Sequence, residues 1–151
     1  MDITYREAKP ADAALLVELY NAAFYSDYLR YGECPGYGRS EDAMRSSIVR
    51  IPKFIILCDK RPVGVISCRK TAEGCYEIGC LCVAPEYQQR GIGTKAMEDI
   101  LNLYSDWRRV TLVTPADKTE NLRFYTQKCG FRAEKTETDG NVRVCRLVRE
   151  R

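Results

Sequence analysis

A strand-like run ends at Leu81-Cys82-Val83, and a helix-like run opens at Thr94 behind two closely spaced glycines, Gly91 and Gly93. No other feature of the 151 residues restricts the fold as much. A strand that feeds a helix and then another strand, here Val110-Thr111-Leu112-Val113-Thr114, is a crossover between parallel neighbours. The helix runs from Thr94 to Tyr104, because Ala96, Met97, Ile100, Leu101 and Tyr104 fall on one face. Glycines at its mouth leave backbone N–H groups uncovered. Those unpaired donors and the helix dipole favour a bound anion, most often a phosphate.

Three phosphate ligands compete for such a turn. A nucleotide P-loop needs Lys followed by Ser or Thr after its last glycine, and Gly93 is followed by Thr94-Lys95, the reverse order. A dinucleotide fold fits the letters better, since Gly91-Ile92-Gly93-Thr94-Lys95-Ala96 satisfies G-x-G-x-x-G/A. Its first glycine, however, should follow the strand almost directly, and Ala84 to Arg90 intervene. The acidic residue expected about 20 positions on is also missing, because the next strand-like run ends in threonine.

The third reading accommodates every residue. Leu81-Cys82-Val83-Ala84-Pro85-Glu86-Tyr87-Gln88-Gln89-Arg90-Gly91-Ile92-Gly93 resembles the acyl-CoA pyrophosphate loop of the GNAT N-acetyltransferases. A second segment, Phe124-Tyr125-Thr126-Gln127-Lys128-Cys129-Gly130-Phe131, resembles another motif of that family at the expected distance downstream. The specific likeness covers about Tyr76 to Phe131. Elsewhere only the order of elements agrees.

The chain is long enough for one domain with a real core and short for two, so residues 1–151 are taken as a single acyl-CoA-binding domain. A net charge of +3 with interspersed signs argues for neither a nucleic-acid nor a membrane surface. The N-terminal residues do not form a signal peptide and no apolar run reaches spanning length, so a cytoplasmic protein is expected. Eight cysteines are scattered singly through apolar runs and read as reduced thiols in the core. Cys80-Leu81-Cys82 sets two thiols on one face of a strand and is the pair to watch for redox sensitivity. There is no histidine and no C-x-x-C, so no metal is expected and histidine-based nucleophilic triads are excluded.

Along the chain, residues 2–8 alternate as a strand and Pro10 opens a helix carrying Leu15, Leu16, Leu19, Ala22 and Ala23. A second helix spans Glu41 to Arg50 behind an N-cap at Ser40. Strands follow over 54–58, 63–68 and 75–83. After the glycine turn come the strand near Val110 and a helix whose start, Asp117 with Glu120, reads as a capping box. Gly130 ends that helix as a left-handed cap, and Asp139-Gly140 turns a terminal hairpin. The order β-α-α-β-β-β-α-β-α-β-β describes an α/β (α+β) domain on a mixed, mostly antiparallel sheet.

What the resemblance implies is acetyl transfer from acetyl-CoA to a primary amine of a small molecule or peptide. A weak acyl-CoA-binding sensor or interaction module is the alternative. The pantetheine arm is expected along Leu81, Cys82 and Val83. The pyrophosphate is expected on the amides of Gln88, Gln89, Arg90, Gly91, Ile92, Gly93 and Thr94, with Arg90 adding charge. Tyr125 matches the tyrosine that family members place near the CoA sulfur as general acid. Many members carry an asparagine two turns before it. This chain has Lys118 there, and Asn121, one turn before, is the candidate for the cofactor contact.

Glu77 matches the catalytic glutamate of histone-modifying members and is the candidate base, with Glu73 and Asp27 behind it. Gly79, Leu81 and Val83 share its strand face, so partly apolar surroundings that raise its pKa are expected. The segment Tyr25 to Gly38 is read as the loop joining the first two helices. Its Asp27, Tyr28, Tyr31 and Tyr37 are candidates to cage a cationic acceptor, with Glu33 alongside. The resemblance also admits a homodimer through the C-terminal strands.

Overall fold

In the computed structural model, which describes residues 1–151, the element order is the one expected. The strands are β1 (Ile3–Glu7), β2 (Lys53–Cys58), β3 (Arg61–Ala72), β4 (Cys75–Val83), β5 (Arg109–Pro115), β6 (Arg132–Asp139) and β7 (Val142–Glu150). The helices are α1 (Ala13–Tyr31), α2 (Glu41–Arg50), α3 (Ile92–Leu103) and α4 (Thr119–Arg123). Seven strands hydrogen-bond in the order β1-β2-β3-β4-β5-β7-β6, and β4 and β5 are parallel, as the crossover demands. The sheet is otherwise mostly antiparallel. No helix is long and apolar enough to cross a membrane.

Contacts gather the chain into two compact units, Met1–Cys68 with Cys80–Ala96, and Arg69–Gly79 with Met97–Arg151. In the first, β1, β2 and β3 form an antiparallel meander. The β2–β3 turn places Asp59 and Lys60 at positive φ, the twist that suits a two-residue hairpin. Leu16, Leu19 and Tyr20 of α1 meet Met44 and Ile48 of α2 over Ile55, Val65 and Cys82 of the sheet. Ser40 caps α2 as expected, its Oγ accepting from the Ala43 amide at 3.0 Å.

In the second unit β5, β7 and β6 form an antiparallel block whose outer strand, β6, is almost wholly exposed, in keeping with its polar sequence. Val110, Leu112, Leu147 and Val148 are buried here, with Met97, Ile100 and Leu101 of α3. Strand pairing runs on to Asp139 opposite Val142, so the hairpin turns at Gly140-Asn141, one residue later than expected. Gly130 has φ 75°, the left-handed conformation anticipated for it.

α3 and α4 both start elsewhere than the sequence suggests. α3 begins at Ile92 rather than Thr94, because the Lys95 amide already bonds to the Gly91 carbonyl at 3.1 Å. α4 begins at Thr119, two residues after the expected cap at Asp117. Lys118 occupies the cap position of α4 without a side-chain cap bond, and after one short turn the helix widens into a π turn over Phe124–Lys128. The Phe131 amide reaches back to the Tyr125 carbonyl at 3.0 Å, closing that wider turn.

Candidate functional site

In the first unit, the chain leaves β4 through a turn whose hydrogen bonds all end on backbone carbonyls. The Ala84 amide bonds to the Val63 carbonyl at 2.7 Å, fixing the strand end to β3. Pro85–Tyr87 form a short 3₁₀ turn, closed by the Tyr87 amide on the Ala84 carbonyl at 2.9 Å. The Gln88 side chain then reaches back, its Nε2 donating to the Val83 carbonyl at 2.9 Å. Arg90 donates to the Glu86 carbonyl at 3.0 Å and lies over the Tyr87 ring at 5.1 Å.

Gln89 and Gly91 both adopt positive φ, 61° and 81°, which turns the backbone sharply into α3. The amides of Ile92, Gly93 and Thr94 lie in the first helical turn, where no carbonyl one turn earlier can accept from them. Gln88, Gln89, Arg90 and Gly91 are exposed, and a Cβ built on Gly91 would meet nothing within 4 Å. The result is an open, amide-lined turn at the positive end of a 12-residue helix. Its donor set of backbone N–H groups with one adjacent guanidinium suits a pyrophosphate.

The strand feeding this turn has two special properties. Its parallel ladder with β5 joins only Cys75, Tyr76 and Glu77 to Arg109, Val110 and Thr111, and Ile78 to Val83 continue beyond the last of these pairs. Leu81 and Val83 are half-buried, whereas Cys82 is buried. On the side toward β3, Gly64 allows a very close approach. A Cβ there would stand 2.2 Å from the Cys82 carbonyl oxygen and 3.1 Å from Val83 Cα.

In the second unit, Glu77 lies on the more open face of β4, as the strand alternation requires. Its surroundings are not apolar, which corrects the sequence expectation. Arg69 Nη2 binds its carboxylate at 2.8 Å, and Arg146 Nη1 lies 3.9 Å away while donating through Nε to Glu137 at 2.5 Å. Both arginines sit on other strands, so single-strand periodicity had no means of revealing them. Glu73 is largely exposed and pairs with Lys70 at 3.6 Å. Tyr125 is buried in the π turn, with its ring edge-on to Phe131 at 6.0 Å. π turns concentrate at functional positions. Asn121 donates to the Thr114 hydroxyl at 3.0 Å, so its amide ties α4 to β5.

The tyrosine-rich segment is mostly not a loop. α1 runs on to Tyr31, which places Tyr25, Asp27, Tyr28 and Tyr31 on its last two turns. Asp27 is buried, with 7% of its surface exposed, which makes it a poor candidate for an acceptor-facing carboxylate. Tyr37, from the linker beyond α1, stacks on Tyr28 with ring centres 4.6 Å apart and packs against Tyr25 at 5.8 Å. Arg30 lies over the Tyr31 ring at 5.2 Å.

The family model described as Acetyltransferase (GNAT) family matches residues 15–131. This chain belongs to the GNAT acetyltransferase family. An acetyltransferase from Thermus thermophilus superposes with a TM-score of 0.81 at 20% identity, over 99% of this chain and 97% of that one. The PaiA N-acetyltransferase from Thermoplasma acidophilum, solved in complex with coenzyme A, gives 0.80 at 19% identity, over the full length of both. In sequence, the uncharacterized protein YrkN of Bacillus subtilis (strain 168) is 43% identical over 49 residues. That stretch is 32% of this chain and spans about a quarter (26%) of YrkN.

For this GNAT protein, the structure gathers Gln88 to Thr94 into one turn and brings Tyr28 against Tyr37. It gives Asn121 and Glu77 protein partners that the motif reading did not anticipate. Two other features escaped sequence reasoning. One is Gly64, whose neighbours lie nearly 20 residues away in the chain. The other is a buried lysine, Lys53, beside Tyr20. A charged residue opening an otherwise apolar run, Phe54-Ile55-Ile56-Leu57, was the available signal for the latter.

Proposed function

We propose that this chain transfers the acetyl group of acetyl-CoA to a primary amine of a small molecule or peptide, by direct attack on the thioester. The observation that carries this reading is the amide-lined turn between β4 and α3 in a chain of the GNAT family. Acetyl-CoA supplies an activated acyl group on a thiolate leaving group. The amides of Gln88 to Thr94 hold its pyrophosphate, with Arg90 contributing charge. The backbone of Leu81, Cys82 and Val83 pairs with the pantetheine amides, and an N–H near Leu81 or Cys82 stabilises the oxyanion.

An amine attacks only when neutral, yet an alkylamine such as a lysine side chain has a pKa of about 10.4, so a proton must leave before or during attack. Glu77 is the assigned acceptor of that proton. Arg69 and Arg146 hold the carboxylate in place. Tyr125 donates a proton to the departing thiolate. Tyr28 and Tyr37 offer ring faces and edges near the end of α1 to a cationic acceptor.

The first experiment is acetyl transfer from acetyl-CoA to a panel of polyamines, amino acids, aminoglycosides, aryl amines and short peptides, read by mass spectrometry. A dominant N-acetylated product supports the reading. Coenzyme A binding without any product would favour an acyl-CoA sensor instead. With an acceptor in hand, Tyr125→Phe should lower kcat by about 10²-fold or more while leaving CoA affinity within about twofold. Glu77→Gln should lower kcat/KM by about 10²-fold and remove the acidic limb of its pH profile. Unchanged kcat in both variants would dismiss the assigned roles.

A further inference from the structure

Glu77 shares its sheet face with a row of charged side chains, all of them in the second unit. Period two along β7 puts Val144, Arg146 and Val148 on one face. Strand pairing sets Thr111 beside Glu77 and Val148 beside Thr111, so Arg146 rises from the face that carries Glu77. β6 is exposed throughout except at Glu137, which lies opposite Val144 on that same face.

The ion pairs in this row are unequal. Arg69 Nη2 donates to Glu77 Oε1 at 2.8 Å. Arg146 Nε donates to Glu137 Oε1 at 2.5 Å, whereas its Nη1 stops 3.9 Å from Glu77 Oε2, beyond hydrogen-bonding distance. One oxygen of Glu77 is therefore bound, and the other accepts no hydrogen bond. Arg146 does not lack donors for it, since a guanidinium carries five N–H groups in one rigid plane. What holds that plane off Oε2 is the charge-assisted bond to Glu137. Lys135, opposite Arg146 on β6, has the same sign, and Glu134 is taken by Arg109 at 2.5 Å, so Glu137 alone anchors Arg146 from that strand.

This arrangement bears on the assignment of Glu77 as base, and the inference rests on that reading. An oxygen already engaged by a guanidinium is the poorer proton acceptor. With Arg69 on Oε1, the proton of the attacking amine goes to Oε2. We propose that Glu137 is a positioning residue for acetyl transfer: by retaining Arg146 it keeps Oε2 of Glu77 open to the amine. Side-chain exposure of 30% at Glu77 leaves that oxygen within reach of an acceptor. Without Glu137, Arg146 closes the short gap and Glu77 becomes clamped on both oxygens.

The test is a suppressor experiment, with kcat measured on acetyl-CoA and the dominant amine of the panel, in variants whose circular dichroism matches the parent. Glu137→Ala releases Arg146 and should lower kcat by about tenfold, with KM for acetyl-CoA within about twofold. Adding Arg146→Met removes the closing group and should raise kcat at least about fivefold over Glu137→Ala alone. A bond that merely stitches β6 to β7 gives the opposite order, because losing both partners is then no better than losing one. Glu137→Gln is the isosteric variant if the alanine variant does not fold, and should lower kcat by at least about threefold.

A folded Glu137 variant with kcat within twofold of the parent, or no recovery in the double variant, would overturn the proposal. Glu77→Gln separates its failure from that of the reading beneath it. If Glu77→Gln lowers kcat and Glu137→Ala does not, the positioning role alone falls. If Glu77→Gln leaves kcat unchanged, the base assignment falls and the positioning role with it. A crystal structure of Glu137→Ala decides the same point with no acceptor. The Arg146 guanidinium should move to within about 3.2 Å of Oε2, and one still beyond about 3.5 Å would refute the proposal.

Discussion

Gly64→Ala is the substitution that most directly probes how β4 is held. The added Cβ would stand 2.2 Å from the Cys82 carbonyl oxygen and 3.1 Å from both the Cys82 carbonyl carbon and Val83 Cα. Ordinary contact begins near 3.5 Å, so the oxygen must retreat by more than about 1 Å. The obstacle is backbone, which has no rotamer to change. It is also pinned next door by the 2.7 Å bond from the Ala84 amide to the Val63 carbonyl. Overpacking of this kind costs about 1–3 kcal/mol, and an immovable neighbour puts Gly64→Ala toward the top of that range.

With a urea slope of about 1–3 kcal/mol/M, the unfolding midpoint should fall by about 1 M. Because the displaced atoms belong to Cys82 and Val83, coenzyme A affinity measured by calorimetry should fall in the folded variant as well. Gly91→Ala is the control. Nothing lies within 4 Å of its Cβ, and the cost is only that of holding alanine at φ 81°, about 1 kcal/mol. A Gly64→Ala midpoint within about 0.3 M of the parent, or a loss no larger than that of Gly91→Ala, would refute the steric argument.

Two further outcomes follow from the buried thiols and the caps. Burial pushes the Cys68 thiol up to about 12 and the Cys129 thiol up to about 11. Both stay protonated in the folded chain while ionising at ordinary values when unfolded. Their stabilisation is therefore complete below about pH 8.5 and is lost as the pH rises toward 11 to 12. Thermal melts from pH 7.5 to 10.5 should show falling stability, with a shallower fall in Cys68→Val. Ser40→Ala removes the acceptor for the Ala43 amide and should cost about 1 kcal/mol in urea unfolding, with coenzyme A binding unchanged.

Much of this protein was legible in its residues because the relevant signals are local. Hydrophobic spacing, Ser40 as a cap and Gly130 as a terminator each act within a few residues of chain. The glycine turn was equally legible, since glycines at the mouth of a helix leave its first-turn amides uncovered whatever the rest of the chain does. The misplaced features failed for one reason. Asp117 and Glu120 carry the letters of a capping box, yet α4 starts at Thr119 with Lys118 at its cap position and passes into a π turn over Phe124–Lys128, whose winding depends on packing that the letters do not carry. The tyrosines at 25, 28 and 31 extend α1 instead of forming a loop, and the stack with Tyr37 forms on that helical surface.

The sequence by itself determined the order of elements, the parallel crossover and the glycine turn with its uncovered amides, because periodicity, backbone sterics and unsatisfied amides are properties of short segments. Tertiary structure alone decided which charges face one another. Glu77 meets Arg69 and Arg146, and Lys53 meets Tyr20, only because segments distant in sequence are brought side by side. Charge interactions depend on separation in space and on burial, and neither can be read along a chain.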